Sequence, residues 1–146
     1  MDSLLLTFAD LTTPLISARI FILAFLAILF LQSGFDKVMD WKGNLSWLKE
    51  HFAQSMFKGQ VPFLLGTIMV FEIAAGIITA LGLAIYVFQG TTGMAILGIQ
   101  LSAISFLMLF FGQRIAKDYA GAWTLATYFI LVCLGLALFH TWPGGM

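Results

Sequence analysis

Four long apolar runs separated by short polar stretches set the pattern of this chain: Ile16 to Ser33, Pro62 to Leu83, Gly93 to Phe111 and Ala122 to His140. Each has roughly the 20 residues that an α-helix needs to cross a hydrocarbon core. The linker from Asp36 to Gln60 has a pattern of its own. Trp41, Leu45, Leu48, Phe52 and Met56 recur at i, i+4, i+7, i+11 and i+15, while Lys42, Lys49, Glu50 and Gln54 fall between them. This spacing predicts an amphipathic helix over about 44–57, with Asn44 as its N-cap, lying in the membrane interface with Trp41 and Trp47 at the headgroup boundary. The predicted architecture is all-α: an integral membrane four-helix bundle, one domain over residues 1–146, with an amphipathic interfacial helix between spans one and two.

Polar residues inside the spans are few, and the most expensive is Glu72. Ten residues of helix from Pro62 put it roughly 15 Å deep, near the middle of a bilayer, where a carboxyl must be protonated, paired or beside a polar cavity. Glu72, Gly76 and Ala80 share one face at i, i+4 and i+8, with Thr79 beside them. Small residues let a neighbouring helix approach, so this face is expected to look into the bundle. Gly82 marks either the end of that helix or a weak point in it.

Arg19 lies one turn inside the first span. Counting rise leaves an axial gap of roughly 8 Å to Glu72, so Arg19 is the expected partner if it does not snorkel to the interface. Gly98, Ser102, Ser105 and Gly112 form a stripe in the third span, with Ser102 expected at the depth of Glu72. In the fourth span Gly121, Tyr128 and Gly135 repeat at heptad spacing and turn Tyr128 inward. Glu72, Arg19, Ser102 and Tyr128 are therefore the candidate residues of a ligand or proton site, in a setting rich in Phe, Met and Leu. The catalytic residues, if any, are not specified by the sequence.

Composition agrees with a membrane protein, since 61% of residues are hydrophobic and 10% charged, against about half and a quarter in soluble domains. The formal net charge is zero and no basic cluster marks a face, so nucleic acid is excluded as a partner. Six of the seven basic residues, Lys37, Lys42, Lys49, Lys58, Arg114 and Lys117, fall in the two connections on one side. Both termini are accordingly expected outside and both charged connections in the cytoplasm. Asp2 and Asp10 replace a basic n-region, so the first span is expected to stay in the mature protein.

Cys133 is the single cysteine, which excludes an internal disulfide or a cysteine-pair redox centre, and it is expected to be buried in the fourth span. His51 and His140 fall at opposite membrane faces, which argues against a bis-histidine haem. No cluster has metal-ligand spacing and no nucleotide-binding loop appears. No metal and no covalently bound cofactor is expected. An apolar cleft with a few convergent polar groups would suit a quinone headgroup, and a protonatable carboxyl could exchange the proton that accompanies quinone reduction.

The arginine at the start of the first span (Arg19), the exit of that span from Gly34 to Lys37, and Glu72 followed by Gly76 resemble the DoxX family of membrane proteins. The polar turn from Gln113 to Gly121 fits the same resemblance. It implies a four-helix bundle of the bacterial or archaeal plasma membrane, with Arg19, Lys37 and Glu72 as motif positions. Some members are associated with sulfur-compound oxidation that delivers electrons to quinones, and others with redox-stress assemblies. The expected function is a small membrane subunit of a quinone-linked redox assembly, accessory and not independently catalytic, in contact with lipids and with other membrane subunits or further copies of itself. The alternatives are a purely structural assembly subunit and a small-solute or proton transporter.

Overall fold

The computed structural model describes residues 13–140. Asp2, Asp10 and the mixed stretch before Thr13 lie outside the described residues. Five helices follow in order: α1 (Pro14–Met39), α2 (Trp41–His51), α3 (Val61–Gln89), α4 (Gly93–Ile115) and α5 (Tyr119–Leu138). All but α2 are long and apolar enough to cross a membrane, and there is no strand among the described residues.

Local chemistry sets the helix ends. Pro14 and Pro62 open α1 and α3 in the first turn, where a missing N–H costs nothing. The Asp118 carboxylate accepts from the Gly121 backbone N–H at 2.9 Å and caps α5. Gly90, at φ 70°, closes α3 in the left-handed conformation with its N–H on the Tyr86 carbonyl. Lys117 takes a similar conformation, φ 60°, in the turn between α4 and α5.

The interfacial helix is shorter than the pattern predicts and is shifted toward the N-terminus. Asp40, not Asn44, caps it: its carboxylate accepts from the Gly43 N–H at 3.1 Å, while Asn44 donates its side-chain amide to the Asp40 carbonyl at 2.8 Å. Beyond His51 the helical pattern of apolar residues continues but the helix does not. The Ser55 hydroxyl donates to the Phe52 carbonyl and accepts from the Phe57 N–H, so residues 52–60 run as successive turns.

α1 packs along α3, α3 along α4 and α4 along α5, while α1 and α5 meet over a shorter stretch. Glycines set the close approaches. A Cβ on Gly34 would fall 2.6 Å from Ile73 Cγ1, and one on Gly76 would fall 2.8 Å from the Leu31 backbone nitrogen. Gly82 is no helix end, because α3 runs on to Gln89 and Gly82 admits the backbone of Ala95 from α4. Gly98 receives Thr79 in the same way, and Gly135 receives Ile22. Leu23, Leu26, Phe30, Ile99, Phe106 and Val132 fill the centre. Phe21, Ile28, Val70 and Ile130 point outward and make the apolar surface that lipid covers. Cys133 is exposed on α5 and not buried, because Val132 and Gly135 take the inward positions of that turn.

Candidate functional site

Glu72 is 2% exposed and lies where α3 crosses α1. The contacts of Gly34 with Ile73 and of Gly76 with Leu31 bracket it. This antiparallel register brings two α1 side chains onto its carboxylate. Ser33 Oγ donates to Glu72 Oε1 at 3.1 Å, and Lys37 Nζ lies 2.7 Å from Glu72 Oε2. Lys37 also donates to Ser33 Oγ at 2.8 Å and to the Ser33 carbonyl at 3.3 Å. Lys37 Nζ meets Oε2 as an ion pair without an aligned hydrogen bond. The lysine, the hydroxyl and the carboxylate form a closed, charge-compensated triad, which is what a carboxylate at this depth requires.

The partner of Glu72 is thus Lys37, and the expected pairing with Arg19 is not formed. Arg19 Nε donates to the Leu138 carbonyl at 2.8 Å, Nη1 reaches the Tyr86 hydroxyl at 3.4 Å, and the guanidinium lies 5.0 Å from the centre of the Phe139 ring. Tyr86 stands about 21 Å beyond Glu72 along α3. The rise count failed because α3 extends well past Leu83, so Glu72 lies in the half of the bundle nearer α2 and Arg19 at the opposite end.

Ser102 also keeps away from Glu72. It is fully buried, but its hydroxyl donates to the Gly98 carbonyl one turn back at 2.8 Å. Tyr128 is half-buried and stacks on Phe106 at 5.6 Å between ring centres, with the Phe25 ring 6.2 Å away. Of the four candidates, only Glu72 belongs to the triad. Lys37, placed by the sequence as a cation at the exit of the first span and a family-motif position, completes it together with Ser33, which the sequence marks only as the end of the first apolar run. The available signal was the four-residue spacing of Ser33 and Lys37, which puts both on the Gly34 side of α1.

Two cavities flank the triad. A chamber of about 390 Å³ lies beneath α2, between the first turns of α3 and the last turns of α4. Phe52, Phe57 and Trp47 contribute to its walls, with Lys37 on one side and His51 and Gln113 on another. His51 Nε2 is 2.6 Å from Gln113 Oε1 and 3.9 Å from Asp118 Oδ2, while Trp47 stacks on the imidazole at 4.6 Å. With the amide oxygen as acceptor, Nε2 is the donor in this contact. The second cavity is a more open groove of about 420 Å³ between α1 and α5, with Gln32, Ser33, Asp36 and Tyr128 among its lining residues. Ser33 belongs to the groove and Lys37 to the chamber, so the triad stands between the two.

Because Lys37 and Glu72 neutralise each other, the chamber offers hydrogen-bonding groups within an aromatic wall and no net charge from the pair. Such a site suits an uncharged ring with polar edge groups better than a free anion. Among the described residues no three His, Cys, Asp or Glu side chains are grouped as metal ligands.

Fold and site together define a multi-pass membrane protein: an all-α bundle of four apolar helices with polar side chains gathered at the end covered by α2. Comparison with known proteins finds no family, no curated protein and no solved structure that matches this chain.

Proposed function

We propose that this protein is a quinone-binding membrane subunit of a redox assembly, related to the DoxX family, with the headgroup held in the chamber beneath α2. The observation that carries the reading is the placement of Lys37 and the His51–Gln113 pair on the wall of one aromatic chamber of about 390 Å³. A quinone ring has a flat apolar body and two opposed carbonyl edges. Aromatic side chains pack on its faces, Lys37 donates to one oxygen, and His51 exchanges a proton with the other as the ring is reduced or oxidised. The electron donor belongs to a partner subunit, which makes this chain accessory to the electron transfer. The distribution of basic residues supports the α2 end facing the cytoplasm of a bacterial or archaeal plasma membrane, with both termini outside.

The test uses Trp47, whose ring stacks on His51 and lines the chamber. In lipid nanodiscs, short-chain ubiquinone and menaquinone analogues are expected to quench tryptophan emission saturably, and Trp47→Phe to remove most of that quenching. His51→Leu should weaken binding by about tenfold, the equivalent of one hydrogen bond. Quenching that rises linearly with quinone and is unchanged in His51→Leu would reflect partitioning into lipid and would end this reading.

A further inference from the structure

We propose that Ser33, Glu72 and Lys37 are a proton connection between the chamber beneath α2 and the groove between α1 and α5. Lys37 lines the chamber, Ser33 lines the groove, and Glu72, 2% exposed, contacts both residues. Lys37 Nζ donates to Ser33 Oγ, which donates to Glu72 Oε1, so hydrogen bonds of one sense run from the ammonium through the hydroxyl to the carboxylate.

The transfer balances without any redox step. A proton passes from Lys37 to Ser33 Oγ as the Ser33 hydroxyl hydrogen moves to Glu72 Oε1, leaving a neutral amine and a neutral carboxyl. The amine takes up one proton from a hydronium ion that reaches the chamber and leaves as water. The Ser33 hydroxyl then turns, receives the proton of Glu72 and passes its own to water in the groove. One proton has moved from chamber to groove, and the ammonium and carboxylate are restored. The other titratable or charged groups that face this path are Asp36 of α1 and Tyr128 of α5 in the groove, and His51 of α2 across the chamber. From α4, Ser102 and Ser105 face the bundle interior and bring no charge.

The use of this connection in quinone chemistry rests on the function proposed above, but the connection itself does not. An apolar carbodiimide adds only to a protonated carboxyl in an apolar setting, so it traps the neutral state of Glu72 with no quinone present. In nanodiscs, dicyclohexylcarbodiimide is expected to give one adduct at Glu72, located by peptide mass and absent in Glu72→Gln. Ser33→Ala removes a donor that favours the carboxylate, so it should label as fast as the parent or faster, and Ser33→Thr, which keeps the donor, should label like the parent. No adduct at Glu72, or slower labelling in Ser33→Ala, overturns the proposal.

A second measurement stands apart from the folding of Ser33→Ala. In a Cys133→Ala background, Ser33→Cys is expected to react from the aqueous phase with a charged thiosulfonate reagent, and complete protection would remove the groove as the outlet. Quinone binding without Glu72 labelling keeps the functional reading and sinks the relay. Labelling without quinone binding does the reverse.

Discussion

Lys37 Nζ lies 2.7 Å from Glu72 Oε2, and the hydroxyl of Ser33 bridges the two by hydrogen bonds to each. The pair joins α1 to α3 at their closest crossing, where Gly34 and Gly76 hold the backbones together. Removing one partner leaves the other charge buried. Lys37→Met is expected to destabilise the folded protein by about 3–5 kcal/mol, while the double substitution Lys37→Met with Glu72→Met should recover most of the loss. Unfolding midpoints of the two singles and the double in mild detergent check this. A double variant as unstable as Lys37→Met would show that packing, not charge, is at stake.

The glycines of the α1–α3 and α3–α4 contacts are expected to differ sharply from those that face open space. Gly76→Ala pushes a methyl group to 2.8 Å from the Leu31 backbone, and Gly82→Ala to 2.7 Å from the Ala95 backbone, where no side chain can yield. Each should cost about 1–3 kcal/mol. A Cβ on Gly66 meets nothing closer than 3.8 Å, so Gly66→Ala should be neutral or stabilising by up to about 1 kcal/mol. Thermal unfolding of the three variants side by side gives the order.

Arg19 ties three helices together at the end remote from the chamber, through the Leu138 carbonyl, the Tyr86 hydroxyl and the Phe139 ring. A lysine has the charge but not the planar fork or the stacking face. Arg19→Lys is therefore expected to lose about 1.5–3 kcal/mol, most of what Arg19→Met loses. Hydrogen exchange should rise in the last turns of α5 while the amides around Glu72 keep their protection. Equal loosening at both ends would mean that Arg19 also supports the triad.

Lys117 holds φ 60° in the α4–α5 turn, a conformation that suits glycine better than a residue with a Cβ. Its N–H donates to the Arg114 carbonyl at 3.2 Å, and its side chain is exposed. Lys117→Gly is expected to stabilise the protein by about 0.4–1 kcal/mol, as a small rise in the unfolding midpoint.

The His51–Gln113 contact joins α2 to the end of α4. Gln113→Leu removes the acceptor but keeps the bulk. Exchange and proteolysis are expected to quicken across residues 41–60 by about the factor of 5–10 that one hydrogen bond represents, while the spanning helices stay protected. No change in this segment would show that packing of Trp47 and Phe52 holds α2 in place by itself.

The class of protein and the number of its spans were legible in the sequence, because crossing a bilayer requires long apolar runs and these leave a continuous mark on the chain. The inward glycine faces were legible too, since close helix packing selects small residues at helical spacing. Boundaries were less so. The apolar pattern carried past His51, but the hydroxyl of Ser55 bonds to its own backbone and the helix stops. The inward turn of Gly135 was legible from its heptad spacing with Tyr128, but that Val132 takes the neighbouring inward position and leaves Cys133 outside could not be told in a helix apolar on every side.

By itself the sequence determined that a carboxyl must be buried in α3 and must find compensation, because an isolated charge in hydrocarbon is too costly to leave alone. Only the tertiary structure decided that the compensation is Lys37 with Ser33 and not Arg19. Axial counting supplies depth along one helix, but the offset between helices is set where Gly34 meets Ile73 and Gly76 meets Leu31. That register, fixed by contacts between distant parts of the chain, puts the triad between chamber and groove.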